Sequence, residues 1–300
     1  MSARSLFRVL ADGHPRLASG SVDDGPIHLL EEAVDLDDLL AGSRAALTDV
    51  LAGPFAGTVP PNTRLLAPIA GQEVWASGVT FERSRAARNE EAGMGAGTVD
   101  FYDRVYKAER PELFAKAAPW RVRGPGESIG IRADSGWDVP EPELGLVANS
   151  DGELVAYTVG NDVSSRSIEG ENPLYLPQAK VFTGSCALGP ALVPVGEVAP
   201  LDELTVELTI RRGGGELFAD SVSLGDLRRT PEELLGWLFQ ALDFPVGAVL
   251  LTGTSIVPPP DLTLAAQDVV TIAIAGVGTL VNTVEQVGLH APRIHQETRT

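Results

Sequence analysis

The sequence has little cysteine, little histidine and no surplus of positive charge, and these shortages argue against several kinds of function. Its one cysteine, Cys186, cannot form an internal disulfide, and with no histidine nearby it is better explained as a small buried residue than as a catalytic thiol. The formal net charge of −18 argues against nucleic acid and anionic membranes as partners, because no clustered basic face is visible. The longest nearly uncharged stretch, residues 269–283, is too short and too rich in glycine to span a membrane and predicts buried strands.

The amino terminus, MSARSLFRVL, lacks a long apolar segment and a small-residue cleavage site. We therefore expect a cytoplasmic protein. With 300 residues, 44% of them hydrophobic, the chain can form one large domain, or one large and one small domain.

Two domains are predicted, a small α+β domain over residues 1–67 and a catalytic metal-binding domain over residues 68–300. The segment 53–61, rich in proline and glycine, marks the boundary between them. Ahead of it, short strands precede a helical pattern whose spacings of three, four and seven give one apolar face. The residues of that face are Leu36, Leu39, Leu40, Leu47, Val50 and Leu51.

Two local signals are clear in the second half of the chain. Thr230 as N-cap, Pro231 at the first helical position and Glu233 in a capping box predict the start of a helix. Residues 211–216 lie between two alternating runs and predict a hairpin tip. Short runs of valine, isoleucine and threonine dominate elsewhere, which predicts a mixed, β-rich core with peripheral helices. The apolar side of the predicted helix comprises Leu234, Leu235, Leu238 and Leu242.

The most informative feature is a pair of glutamates, Glu141 and Glu143, separated by one proline. Side chains two apart on a strand point to the same face, so the two carboxylates can converge on one point. Like charges that close repel unless a cation lies between them. Such a pair is common on solvated faces, but the apolar and uncharged neighbours indicate a packed core here.

A predicted hairpin brings a third carboxylate to the pair. The apolar runs 144–148 and 154–159 flank a turn signal at residues 149–152, and a hairpin closed there places position 141 opposite 160–162. Asp162 then joins the glutamates. Three carboxylates without histidine or cysteine predict a hard-oxygen site for Mg²⁺, Mn²⁺ or Ca²⁺.

Several motifs in this region resemble those of the fumarylacetoacetate hydrolase superfamily. They are PEPELGLV, YTVGNDVSSRSIEG, YLPQAKVFTGSCALGP, LLTGTSIVPPP and VVTIAIAGVGTLVN, and the similarity covers residues 68–290. The resemblance implies a rolled mixed β-sheet, a divalent metal held by Glu141, Glu143 and Asp162, and substrate contacts from Lys180 and Thr254. It also implies a homodimer or larger homo-oligomer.

The histidine that activates water in the hydrolase members has no counterpart here. In those members a Gly-x-Asn-Tyr-x-x-His motif supplies it, and the corresponding stretch, GVTFERS, has Ser84 at that position. The four histidines are His14, His28, His290 and His295, so none is near in sequence. A serine without an adjacent base does not take a proton near pH 7, so the usual hydrolytic mechanism is not expected.

One branch of the superfamily matches this departure. The segments GVTFERSRAAR and ERPELFAK resemble the 2-dehydro-3-deoxy-D-arabinonate (2-keto-3-deoxy sugar acid) dehydratases, which eliminate water. The resemblance implies that Glu112 and Lys180 transfer protons, and we expect Ser84 and Arg83 to contact the substrate. Without the resemblance, Glu112 is better explained as an exposed carboxylate at the start of a helix after Pro111.

The chemistry is coherent for a 2-oxo acid substrate. Its carboxylate and keto oxygen chelate the metal, a base removes a proton from C3, and a protonated group assists loss of the C4 hydroxyl. Lys180 is the base if its pKa is lowered, or else it binds the substrate while Glu112 shuttles the proton. Arg83, Arg85 and Arg88 either attract the anionic substrate or form a solvated helix face.

The sequence thus predicts an Mg²⁺-dependent dehydratase that converts a 2-dehydro-3-deoxy-pentonate to 2-oxoglutarate semialdehyde. Two alternatives stay open. A hydrolase or decarboxylase of acylpyruvates or 2,4-diketo acids would share the metal site and differ in its proton-transfer groups. The other is a catalytically inactive homologue that binds a metal or metabolite, which the retention of Glu112, Lys180 and Thr254 disfavours.

Overall fold

The computed structural model describes residues 3–82 and 99–288. These residues form eighteen strands and six α-helices. The strands are β1 (Arg4–Ala11), β2 (His14–Ser21), β3 (Gly25–Leu30), β4 (Phe55–Thr58), β5 (Arg64–Leu65), β6 (Glu73–Gly78), β7 (Glu112–Ala117), β8 (Ser128–Arg132), β9 (Asp138–Val139), β10 (Pro142–Ala148), β11 (Leu154–Asp162), β12 (Ser164–Ser165), β13 (Cys186–Pro194), β14 (Thr205–Arg212), β15 (Gly215–Ser223), β16 (Ala248–Leu251), β17 (Val269–Ile274) and β18 (Gly278–Val287). The helices are α1 (Leu36–Ala41), α2 (Ala46–Val50), α3 (Val99–Lys107), α4 (Arg166–Glu171), α5 (Leu176–Lys180) and α6 (Pro231–Phe239).

Two sheets pack around one large apolar core. The described strands form an eleven-stranded sheet in the order β4-β3-β2-β1-β13-β11-β10-β16-β6-β7, with β5 beside β1, and a five-stranded sheet in the order β15-β14-β17-β18-β8. Strands β9 and β12 form a separate two-stranded sheet. Most neighbours are antiparallel, while β16 pairs with β6 and β18 with β8 in parallel. Side chains from both sheets, such as Leu146 on β10 and Ile272 on β17, share the core between them. The prediction of a mixed, β-rich fold is confirmed.

The first strands of the chain belong to the same large sheet as the predicted metal site. β1 pairs with β13 at Leu6 and Leu192, and β13 in turn pairs with β11. The segment proposed as a domain boundary contains strand β4, which pairs with β3. The division at residue 67 stays a prediction.

The helical pattern near residue 40 forms two short helices. The first ends at Ala41, and the N–H of the next residue, Gly42, donates to the carbonyl of Leu39. The second begins at Ala46. Leu36 and Leu40 on one helix and Leu47 near the start of the other are still buried together, so the apolar face was predicted correctly. The face does not run along one continuous helix, because glycine loses more backbone freedom in a helix than other residues do and therefore favours an end there.

The other local predictions agree with the structure except at one residue. Thr230 Oγ1 accepts the N–H of Glu233 at 3.1 Å, and the predicted helix runs to Phe239. Leu242 lies beyond the end of that helix and is 41% exposed, so its assignment to the buried side is wrong. Gly213 and Gly214, both at positive φ, turn the predicted hairpin between β14 and β15.

Residues 269–283 form strands β17 and most of β18, as their composition predicts. These strands pair with each other and alternate between buried and less buried positions. In the described parts of the chain, no helix has the length and apolar character needed to cross a membrane.

Candidate metal centre and active site

The three acidic residues predicted from the hairpin converge in the structure. Pro142 pairs with Asn161 across β10 and β11, and the N–H of Asp162 donates to the carbonyl of Glu141 at 2.9 Å. Glu141, Glu143 and Asp162 are all buried, and each offers a carboxylate oxygen within 4.8 Å of the others. The register of one hairpin therefore assembles the cluster, because a slip by one residue would turn the glutamates to the opposite face.

The electrostatics of the cluster suit a divalent cation. Burial raises the pKa of Glu143 well above its ordinary value, and the charges of Asp162 and Glu141 raise it further. Lys180 and the N–H of Gly253 act in the opposite direction. A set of buried carboxylate oxygens that repel one another fits a hard cation such as Mg²⁺, which would relieve that repulsion.

Lys180 contacts two of the three carboxylates. It is the last residue of α5, and its Nζ lies 2.7 Å from Glu141 Oε2 and 3.3 Å from Asp162 Oδ2. It also donates to Ser164 Oγ at 2.6 Å. These contacts are those of an ammonium group, and they place the predicted proton-transfer lysine directly beside the cluster.

Glu112 reaches the same place from strand β7. It pairs with Gly78 on β6, and a Cβ at position 78 would come within 2.1 Å of Glu112 Oε2. Gly78 therefore leaves the space that the Glu112 carboxylate occupies. Because Glu112 opens a strand and is only partly exposed, the alternative of an exposed residue at a helix start is wrong.

One pocket brings together residues that the sequence motifs identified one at a time. Glu112, Lys180 and Thr254 line it together with the three carboxylates. Phe114 and Leu176 supply apolar wall. Among the described residues that line this pocket, none is a histidine, which agrees with the missing hydrolytic base.

Two contacts to the carboxylates of Glu141 and Glu143 were not predicted. Arg166 on α4 forms an ion pair with Glu141 Oε1 at 2.9 Å and reaches Glu169 Oε2 at 3.5 Å. The N–H of Gly253 donates to Glu143 Oε2 at 2.6 Å. The arginine four residues after Asp162 was a usable signal, since it lies close in the chain to a predicted ligand and begins a short helix. The backbone contact had no such signal, because any residue type carries an N–H.

The predicted substrate contacts Ser84 and Arg83 lie outside the described residues, as do Arg85 and Arg88. Cys186 lies opposite Asp162 on β13 and is fully buried. Burial raises the pKa of its thiol to about 12. This agrees with the prediction of a small buried residue and not a catalytic thiol.

Comparison with known proteins gives a consistent family. Residues 86–285 match the family model described as the C-terminal part of fumarylacetoacetate (FAA) hydrolase. The chain is 44% identical to a Haloferax volcanii protein named probable 2-keto-3-deoxyxylonate dehydratase, over 90% of this chain and 85% of that protein. It is 43% identical to a 2-dehydro-3-deoxy-D-arabinonate dehydratase of Saccharolobus solfataricus, over 74% of this chain and 75% of that protein.

A solved structure with a bound metal is similar along nearly the whole chain. It is a 2-keto-3-deoxy-D-arabinonate dehydratase complexed with magnesium and 2,5-dioxopentanoate. The match has a TM-score of 0.80 and 36% sequence identity, and it covers 94% of this chain and 99% of that one.

Proposed function

The chain belongs to the fumarylacetoacetate hydrolase family, and from that premise we propose that it is a divalent-metal-dependent dehydratase of a 2-keto-3-deoxy sugar acid. The substrate we favour is a five-carbon acid, and the product is 2,5-dioxopentanoate, also called 2-oxoglutarate semialdehyde. The observation that carries the proposal is the meeting of three buried carboxylates with Glu112 and Lys180 in one pocket. The named activities of the two relatives support the choice of substrate.

We assign Glu141, Glu143 and Asp162 as the metal ligands and Mg²⁺ as the preferred metal. The support is the all-oxygen donor set and the repulsion that a cation relieves. When bound, a divalent metal supplies Lewis acidity toward the carboxylate and keto oxygens of a 2-oxo acid. Arg166 contacts Glu141 Oε1 and the N–H of Gly253 donates to Glu143 Oε2, so these carboxylates keep their orientation.

We assign the two proton transfers to different residues. Glu112, a carboxylate that lines the pocket, takes the proton from C3. Lys180, whose contacts are those of an ammonium group, donates a proton to the departing C4 hydroxyl, which leaves as water. A C3–C4 double bond results. Moving one proton from C5 to C3 then gives an enol across C4 and C5, and transfer of its hydroxyl proton to C4 gives the C5 aldehyde. The overall change is the loss of one water.

Thr254 is assigned to the substrate, because it lines the pocket and follows Gly253, whose N–H already holds Glu143. Ser84 and Arg83 remain proposed substrate contacts on the basis of the sequence alone. Hydrolysis and decarboxylation of acylpyruvates or diketo acids share the metal site, and no observation favours them over dehydration.

Product analysis tests the proposal. Purified protein with Mg²⁺ is given a 2-keto-3-deoxy-pentonate, a 2,4-diketo acid and oxaloacetate in parallel, and products are identified by mass spectrometry. We expect 2,5-dioxopentanoate from the first compound, and no turnover once a chelator is added. Cleavage of the diketo acid, with the sugar acid left intact, would establish a hydrolase and overturn the dehydratase assignment.

A further inference from the structure

The chain uses lysine sparingly, and two of its lysines lie at the site. The sequence contains three lysines against twenty arginines. Lys107 is exposed on α3, whereas Lys116 and Lys180 are buried, with Lys116 at 0% exposure. Burying an ammonium group is costly unless charge and hydrogen bonds compensate it, so Lys116 needs a specific reason to be inside.

Lys116 approaches the cluster from strand β7, which also carries Glu112. Glu112 and Phe114 line the pocket, and Lys116 does not. Its Nζ forms an ion pair with Asp162 Oδ1 and donates to two backbone carbonyls, those of Val163 at 3.0 Å and Lys180. An ammonium group has three N–H donors, and the two carbonyls use two of them while the charge lies against Asp162 Oδ1. Because Lys116 does not line the pocket, we assign it no contact with the substrate.

The contact with Asp162 separates the roles of the two carboxylate oxygens. Lys116 pairs with Oδ1, while Oδ2 lies 3.3 Å from Lys180 Nζ, which lines the pocket. Holding one oxygen from behind fixes the rotation of the carboxylate. The second oxygen is then presented to the pocket.

The hydrogen bond from Lys116 to the Lys180 carbonyl fixes the main chain of Lys180. Lys180 is the last residue of α5, and the carbonyls at a helix end lack partners within the helix. Lys116 supplies a donor there and adds a positive charge where the end of a helix favours one. One ammonium group thus touches both a metal ligand and the main chain of the proton-transfer lysine.

We propose that Lys116 is a positioning residue that sets Asp162 and Lys180 relative to each other. It orients Asp162 so that Oδ2 faces the metal, and it anchors the residue that carries the catalytic ammonium group. This role rests on the proposed function, since it concerns the same metal and the same reaction.

Simple charge compensation makes the opposite prediction for metal binding. If Lys116 only neutralised a buried negative charge, its removal would lower the positive charge near the cation and tighten Mg²⁺ binding. If Lys116 positions Asp162, its removal weakens binding, as changes behind a ligand usually do, by about 10- to 100-fold. Measuring the sign of the change therefore distinguishes the two explanations.

The test compares Lys116→Met with Lys107→Met, which removes the same group from an exposed site. Magnesium affinity is measured by calorimetry, and kcat is measured at saturating Mg²⁺ on the sugar acid. For Lys116→Met we expect an Mg²⁺ Kd raised about tenfold or more, and a kcat that stays reduced at saturation because the Lys180 contact is also lost. Lys107→Met should match the unmodified protein in both measurements.

Lys116→Arg keeps the charge but replaces one point donor with a planar fork, which cannot address the same three acceptors. We expect it to be impaired in Mg²⁺ affinity and kcat, and it serves as the test variant if Lys116→Met does not fold by circular dichroism. Unchanged or tighter Mg²⁺ binding in the folded variant tested would overturn the inference. If the unmodified protein neither bound Mg²⁺ nor formed product, the proposed function itself would fail, which is a separate result.

Discussion

The pocket has two charged walls that are built in different ways. The carboxylate wall consists of Glu141, Glu143 and Asp162, which lie at the same end of one hairpin formed by β10 and β11. The second wall, called the proton-transfer wall after its proposed role, consists of Glu112 on β7 and Lys180 at the end of α5. The first wall follows from the register of two adjacent strands, whereas the second requires β7 and α5 to meet across the fold.

Because the two walls are built from different contacts, we expect them to contribute to different steps of the reaction. The carboxylate wall holds charge in a buried place, and its geometry depends on local pairing. The proton-transfer wall depends on Gly78 leaving space for Glu112 and on the contacts that fix α5. We therefore expect changes in one wall to affect metal binding, and changes in the other to affect the chemical step.

The largest effect is expected from Glu143→Gln in the carboxylate wall. The change replaces a buried carboxyl group, whose pKa is raised because its charged form is unfavourable there, with a neutral amide of similar size. The fold should therefore persist, which circular dichroism checks. Loss of a direct ligand should weaken Mg²⁺ binding by more than about 100-fold and abolish product formation. Calorimetry with Mg²⁺ gives the readout, and undiminished affinity would remove Glu143 from the ligand set.

In the proton-transfer wall, Glu112→Gln should lower kcat by about 100-fold or more, the usual scale for a general base, while the Mg²⁺ Kd changes little. Steady-state kinetics and calorimetry on the same preparation check both halves of this expectation. Ser84→Ala is the matched control, and we expect its kcat to fall less than about tenfold because no proton transfer is assigned to it. Equal losses in the two variants would contradict the assignment of Glu112.

Lys180→Met should change both Mg²⁺ affinity and kcat, because Lys180 belongs to one wall and contacts the other. Lys180 Nζ contacts Glu141 Oε2 and Asp162 Oδ2, so it lies against oxygens that the metal would use. Removing its charge should tighten Mg²⁺ binding by a few-fold while kcat falls by about 100-fold. Calorimetry and turnover at saturating Mg²⁺ separate these effects. Retained turnover would exclude Lys180 as a proton donor.

The smallest expected effect is on folding stability and concerns Asp138, a buried carboxylate that is not assigned as a metal ligand. It is buried on β9, its Oδ1 has no hydrogen-bond partner in the described parts of the chain, and burial raises its pKa from 3.8 to about 6. The folded state therefore keeps a proton that the unfolded state releases between these values. Stability is lost as the pH rises through this window, by on the order of 2–3 kcal/mol at most.

Asp138→Asn removes that penalty, so its gain in unfolding free energy should grow from pH 4 to pH 6 and stay level above. Urea unfolding at pH 5 and pH 7.5 gives the comparison. The exposed Asp151, changed to asparagine, should show no such trend. A gain for Asp138→Asn that is the same at both pH values would rule out its titration as the cause.

The carboxylate wall and several elements could be predicted from the sequence because their signals are local. Alternation placed Glu141 and Glu143 on one face, and the turn at residues 149–152 fixed the position of Asp162. The capping residues at Thr230 located the start of α6. By contrast, the break between α1 and α2 at Gly42 was missed, since the apolar spacing continues across it.

The sequence by itself predicted the convergence of the three carboxylates, the β-rich character and the lack of a histidine at position 84, because each depends on residue type and short-range spacing. The family resemblance pointed to Glu112 and Lys180 without saying how they meet. Only the tertiary structure decided that Lys116 and Arg166 lie against the carboxylates. Contacts between distant segments depend on how sheets and helices pack, and no local pattern encodes the partner of a buried charge.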